Sequence, residues 1–389
     1  MLHLHRREKC LFKSPKLILI GLFSAIGLAI ANTIWALYME GFGLTHSEIG
    51  FISSLFVIIA LFFSLYSTPI MQKFKETKIY VLSLIIAIIS YLMMSFFNTL
   101  LMFLIFATIL TISSVFRANT FDLIFRDNTK DKDLNKREGL LYAFRNLGWL
   151  IGPLIASYLL IYLKVSNLFL VSGIFFFITL IFFLIFKIKN IEKERKKIDI
   201  NIFKNLRSFI KKKNLRINYL VTMGISLWWG FVYIYVPLFM LDNGLTGKDI
   251  GIFLALIIIP LAIFEYPIGK LSGKIGTKTF LVFGFIGLTI ASLILFVLNN
   301  IYIQLLIIII ASIFAACIEP TQETFFFNRI KKNDEEKLYP IFTTSWHSGS
   351  FIGKILVAGV LLFLANNYAY LAIGLLMGIL AILAMRIKE

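Results

Sequence analysis

Charge is scarce in this sequence, and negative charge most of all: 15% of the 389 residues are charged, with 21 Asp and Glu against 39 Lys and Arg. Hydrophobic residues make up 59% and the mean hydropathy is +0.87, so the chain lacks the polar surface that keeps a soluble domain of this length dispersed in water. Cysteine occurs twice, at Cys10 and Cys317, which excludes a disulfide framework. The four histidines, His3, His5, His46 and His347, are accompanied by no HExxH, no paired-acid phosphate-metal motif and no nucleophile elbow. A metal centre, a cofactor and an enzymatic activity are therefore not expected. Segments of alternating polarity are missing as well, which excludes a membrane β-barrel; LIIAIISYLMMSFF and LLIIIIASIFAAC are apolar on every side.

What is present is a series of apolar runs, each of about 20 residues and so long enough, as a helix, to cross a hydrocarbon core about 30 Å thick. They predict an all-α integral membrane protein of about twelve spans: 17–39, 49–71, 79–97, 99–125, 140–163 and 168–186, then 219–241, 250–270, 279–298, 301–327, 340–365 and 368–385. The basic residues sort by connection. Both tails and alternate loops hold nearly all of them, while the intervening loops hold Lys164 and Lys248 alone. Positive loops stay in the cytoplasm, so a multi-pass protein of the cell membrane with both termini cytoplasmic is expected. The formal charge of +18 then follows from topology, with anionic lipid headgroups as partners. Nucleic-acid binding is not expected, because no basic stretch interleaves with exposed aromatics. The N-terminus has the polarity of a signal peptide, and Ala29-Ile30-Ala31 offers a cleavage pattern. Retention is expected, since the apolar run continues to Tyr38 and the second half of the chain has a counterpart for it.

An offset of 201 residues superposes the chain on itself. It places Gly43, Leu44 and Thr45 on Gly244, Leu245 and Thr246, Gly50 on Gly251, Lys73 on Lys274, Thr120 on Thr321, Gly148 on Gly349 and Gly152 on Gly353. The duplication predicts an N-terminal six-helix half, 1–186, a basic linker, 187–218, and a C-terminal six-helix half, 219–389. Within the linker, IFKNLRSFIKK reads as an amphipathic surface helix. Six spans per copy relate the halves by a pseudo-two-fold axis along the membrane normal, which suits rocking about a site near the midplane.

After the eighth span, Gly269, Lys274, Gly276 and Lys278 follow a glycine-and-basic pattern, and over its whole length the chain resembles the major facilitator superfamily. The resemblance implies two pseudo-symmetric six-helix bundles and a transporter. Gly273 stands at that pattern's acidic position, and the first-half copy keeps Lys73 but has Gln72 and Lys75 at its acidic and glycine positions. In the fifth span Gly139, Gly148, Gly152 and Pro153 resemble the signature of exporters working by antiport, with Ala156 and Ser157 in place of a glycine pair. Gly148 and Gly152 share a helix face and predict close packing, with Pro153 loosening the backbone. The family's cavity-lining spans bring forward Asn32, Trp35 and Tyr38 in span 1 and Trp228, Trp229 and Tyr233 in span 7. Tyr38 and Tyr235 read equally as anchors at the membrane interface. Arg117 matches an arginine of span 4, with Phe121 where the family has glycine.

Charges inside spans cost about 2.5–3.5 kcal/mol each at a helix centre and must be compensated. Lys354, with His347 and Ser350 on the same face, forms a polar stripe in span 11 and reads as substrate-binding or as half of a structural ion pair. Glu319 and Glu323 flank Pro320 in span 10, and Asp122 corresponds to Glu323 under the 201 offset. These three acids are the proton-coupling candidates. The alternative for Glu319 is a salt bridge to Arg117, Arg145 or Lys354. Glu265 reads as a partner of Lys270 or Lys274. Together these features predict a monomeric, proton-coupled exporter of small amphipathic or lipophilic compounds. A nutrient symporter or facilitator, a non-transporting membrane sensor and a membrane-embedded enzyme are the alternatives.

Overall fold

The computed structural model describes residues 14–129, 134–188, 202–327, 329–330 and 335–387; His3, His5, Cys10 and linker residues 189–201 lie outside this set. All regular elements among the described residues are helices. In chain order they are α1 (Ser14–Glu40), α2 (His46–Lys73), α3 (Glu76–Phe96), α4 (Leu100–Asp127), α5 (Leu134–Leu159), α6 (Asn167–Ile185), α7 (Ile202–Lys211) and α8 (Lys213–Asp242). They continue with α9 (Gly247–Leu256), α10 (Ile258–Ile275), α11 (Thr277–Val297), α12 (Ile301–Phe327), α13 (Glu335–Leu361) and α14 (Asn367–Met385).

Ten spans among the described residues are long and apolar enough to cross a membrane, with α9 and α10 together making one of them. The remaining long helices, α5 and α13, have 26 and 27 residues, sufficient in length, but are interrupted by polar side chains. The expected total of twelve rests on these two. The eighth span, read from the sequence as continuous, is divided at Ile257. Pro260 supplies the reason, because it has no N–H to donate to Leu256 four residues earlier and its ring crowds that carbonyl.

The described residues cluster as two compact units: 14–38 with 62–188, and 39–61 with 202–387. Residues 39–61 thus group with the second unit, although the duplication assigns them to the first half. Their packing explains the grouping. Ser47 Oγ donates to the Ala358 carbonyl at 2.8 Å, and His46 Nε2 lies 3.4 Å from Asp242. Gly50 sits where a Cβ would run into the Tyr235 hydroxyl and Ala358.

Local geometry repeats at the 201 offset. Thr45 donates from N and Oγ1 to Glu48, both at 2.8 Å, and Thr246 does the same to Asp249 at 2.8 and 2.7 Å, each capping the helix that follows. The preceding turns place Gly43 and Gly244 at φ of 76° and 77°, a region that glycine enters without strain. Thr120 and Thr321 each donate to the carbonyl four residues back at 2.6 Å.

The small-residue faces meet equivalent partners. A Cβ on Gly148 would lie 3.0 Å from the Leu22 carbonyl and one on Gly152 2.9 Å from that of Ile26, so α5 rests on the backbone of α1. In the second unit a Cβ on Gly349 would strike the Met223 carbonyl, and one on Gly353 would lie 2.7 Å from that of Leu227, so α13 rests on α8 in the same register. Helix α3 packs on α4 and α6, and α11 packs correspondingly on α12 and α14. The amphipathic helix expected in the linker is α7; its Phe209 is buried with Leu215, Phe326, Leu338, Ile341 and Phe342.

Gly349→Ala is expected to lower the melting temperature by several degrees, because the new methyl meets backbone that cannot yield. Gly359→Ala, on the same helix with open space around it, is expected to leave the melting temperature unchanged or raise it slightly. Thermal unfolding of the detergent-solubilised variants decides this; equal melting temperatures would show that the contact does not constrain the bundle.

Candidate functional site

The second unit brings three acidic residues, Glu265, Glu319 and Glu323, together where α8, α10 and α12 meet. Along α8 most side chains are buried, Trp228 completely, but Trp229 and Tyr233 are half-buried on one face with ring centroids 5.8 Å apart. Both sit beside Glu319. Trp229 Nε1 donates to Glu319 Oε1, and Tyr233 lies within electrostatic range of the same carboxyl. Glu265 on α10 is hydrogen-bonded to Glu319, and Glu323, one turn further along α12, also acts on it. Behind this group Leu261, Ile268, Ala316 and Cys317 form an apolar wall against which Trp229 packs. Pro320 removes a helix N–H between the two glutamates of α12, leaving the Ala316 carbonyl without its usual partner there.

Ionised carboxylates only accept hydrogen bonds, so a bond between Glu265 and Glu319 requires one proton held between them. Glu265, read from the sequence as a partner of Lys270 or Lys274, stands beside another glutamate, and within this unit Glu319 makes no ion pair with Lys354 among the described residues.

A second polar face belongs to α13. His347, Ser350 and Lys354 are all half-buried along it, and Lys354 forms no ion pair among the described residues. Its backbone carbonyl accepts the Tyr235 hydroxyl, which makes the fully buried Tyr235 a packing residue and not an interface anchor. Helix α8 is stitched to its neighbours by bonds that the sequence reading missed. The Tyr219 hydroxyl bonds Thr344 and Ser348 at 3.1 and 2.8 Å, Thr222 donates to Gln322, and Ser226 donates to the Trp346 carbonyl. The spacing of Tyr219, Thr222 and Ser226, three and four residues apart, was the available signal.

In the first unit Asn32 and Trp35 are half-buried on α1; Asn32 Nδ2 donates to the Leu28 carbonyl at 2.9 Å, and the Trp35 ring lies 5.1 Å from that of Phe103. Tyr38 touches the same Phe103 ring at 5.2 Å but lies deeper. It is buried edge-on against Phe169 at 4.9 Å with its hydroxyl donating to the Met94 carbonyl. Arg117 is also turned into the interior of this unit, with its Cζ 4.4 Å from the centre of the Phe176 ring. Asp122 is held by Arg145 at 3.0 Å with about half its side chain exposed, so it is an ion-pair partner and not a desolvated acid. Of the loop signature, Gly276 takes φ 109° between α10 and α11, Lys274 is exposed, and Gly269 lies beside Pro320. Pro153 is buried within α5.

Two duplicated helical bundles with intramembrane charges define the chain as a polytopic membrane transporter. Its sequence matches the family model of the Major Facilitator Superfamily over residues 17–259 and 219–388, and the chain belongs to that superfamily. An uncharacterized MFS-type transporter of Methanocaldococcus jannaschii is 25% identical over 368 residues, covering 92% of this chain and 94% of the relative. Among solved structures, a POT family transporter in complex with 5-aminolevulinic acid superposes with a TM-score of 0.82 at 13% identity, covering 96% of this chain and 95% of that one. The nucleoside transporter NupG superposes with a TM-score of 0.78 at 13% identity, covering 97% and 100%. These two likenesses are of fold.

If Glu265 and Glu319 share a proton, infrared difference spectra in H2O and D2O will contain a deuterium-sensitive carboxylic C=O band. Glu319→Gln should abolish it, and Glu265→Gln should move it, because the amide still bonds Glu319. A band unaffected by Glu265→Gln would separate the two groups.

Proposed function

We propose that this transporter couples substrate movement to protons through the Glu265–Glu319 carboxyl pair, and that it exports small amphipathic or lipophilic compounds by alternating access. The observation that carries the reading is the direct carboxyl–carboxyl hydrogen bond, which binds a proton at a place where the apolar wall behind it and the membrane around it disfavour free charge. Trp229 holds Glu319 in one orientation, and together with Tyr233 it offers aromatic faces beside the acids. Such faces bind flat or cationic groups. Export is supported by the Gly148, Gly152 and Pro153 pattern of α5. Glu323 assists as a further acid near the pair.

A specific observation favours a second reading of the substrate. Lys354 lies on a polar face with His347 and Ser350 and has no carboxylate partner among the described residues, so a substrate bearing its own anionic group would complete it. The structural relative solved with 5-aminolevulinic acid binds a molecule with both an amine and a carboxylate. On this reading the acids take the cationic end and Lys354 the anionic end.

In everted vesicles with an acid lumen, addition of the transported compound is expected to alkalinise the lumen, since each inward substrate movement releases protons outward. Glu319→Gln should reduce that response at least tenfold. Cationic amphiphiles active in a Lys354→Met variant support the first reading, whereas zwitterions active only with Lys354 present support the second. Substrate uptake that leaves luminal pH unchanged would eliminate proton coupling.

A further inference from the structure

Arg117 is the least accessible charge of the first unit and the least explained by the transport reading. Its side chain is 7% exposed, and its Nη1 is enclosed with no hydrogen-bond partner among the described residues. The Tyr80 hydroxyl from α3, also enclosed, has none either, and both Tyr80 and Tyr91 lie within electrostatic range of the guanidinium. The surroundings are mainly aromatic, with the Arg145–Asp122 pair also within electrostatic range of Tyr80. Phe176 lies under the guanidinium, Tyr91 stacks on Phe176 at 5.4 Å, and the Tyr80 ring packs 4.8 Å from Phe183 and 5.6 Å from Phe121. The ion-paired acids of this unit, Asp122 and Glu138, are engaged with Arg145 and Arg126.

The fold does not require a charge at this place. Under the 201 offset Arg117 falls on Ile318, Tyr80 on Leu281 and Phe176 on Met377, all buried and all apolar in the second unit. Arg117, Tyr80 and Phe176 thus occupy positions that the other copy fills with hydrocarbon, while Tyr91 falls on the buried Ser292. A buried cation facing an aromatic ring is compensated only in part, and an enclosed N–H and O–H still need an acceptor. A water could accept from both donors, but it would bring two hydrogens needing acceptors of their own and would leave the charge in place. A spherical monovalent anion accepts from both donors, neutralises the guanidinium and is tolerated by the positive edges of surrounding rings.

The geometry points to a structural halide site inside the first unit, in which Arg117 Nη1 and the Tyr80 hydroxyl hold a chloride ion. Tyr80 lies one helical turn from the start of α3 at Glu76, so the path to the helix end is short, about 6 Å along the axis. This inference is independent of the proton-coupling reading, because it concerns a different unit and requires no transport.

The test is thermal unfolding of the full chain in detergent, after exhaustive exchange into gluconate, as chloride or bromide replaces gluconate at constant ionic strength. A saturable rise in melting temperature is expected with either halide. Tyr80→Phe keeps the ring packing and removes one donor, and it should raise the half-saturating chloride concentration at least tenfold. Arg117→Leu should abolish the halide response; should it fail to fold, Tyr80→Phe still decides. A bromide-soaked crystal should show an anomalous peak in contact with Arg117 Nη1. A melting temperature indifferent to halide, or a chloride dependence identical in wild type and Tyr80→Phe, overturns the site, as does a bromide crystal with no peak at Arg117.

Discussion

A bilayer offers no hydrogen-bond partner, and the architecture follows from that constraint. Each backbone group inside the hydrocarbon must be satisfied within its own helix, so every regular element among the described residues is a helix. The same constraint governs how helices meet. With no water to expel, association rests on close contact, and the close contacts here are four glycines that let α5 lie on the backbone of α1 and α13 on that of α8. The register is the same in both units, Leu22 and Ile26 in one and Met223 and Leu227 in the other. A pair of packed helices is thus the conserved unit of the duplication, while the side chains around it have diverged.

That divergence is where chemistry enters. Span positions that are apolar in one copy carry charge in the other: Arg117 against Ile318, Lys354 against Pro153, Glu319 against Ala118. Because intramembrane charge is costly, each such substitution must be offset locally, and the structure shows different solutions. Arg145 and Asp122 pair with one another at a partly exposed end. Glu319 takes a hydrogen bond from Trp229 and shares another with Glu265. Arg117 leans on an aromatic ring with donors left over. The two helices that fall short of a simple hydropathy criterion, α5 and α13, are also those that carry Arg145, His347 and Lys354. Function and apolarity compete for the same positions.

Much of the fold was legible before any coordinates. Apolar runs of spanning length mark the helices, and the 201 offset marks the duplication; its matched Thr45 and Thr246 prove to be matched helix caps. Glu319 and the aromatic pair Trp229 and Tyr233 were recognisable because polar or amphipathic groups stand out against apolar helices. Their arrangement was not recognisable. Glu265 lies 54 positions before Glu319, and no local pattern says that α10 brings it beside α12. Tyr38 looked equivalent to Trp35 on the same helix face, but α3 and α6 cover it and leave Trp35 half-buried, which no local pattern shows.

The sequence by itself therefore determined what depends on solvent and period: that the chain is helical and membrane-embedded, that it is duplicated, and which positions carry charge within the spans. Tertiary structure alone decided which way each of those charges faces and with whom it pairs. The physical reason is one of range. Hydropathy and helical period are properties of neighbouring residues, whereas the partner of a buried polar group is set by the packing of helices remote in the chain, where a rotation of one side chain separates an ion pair from a hydrogen-bonded acid.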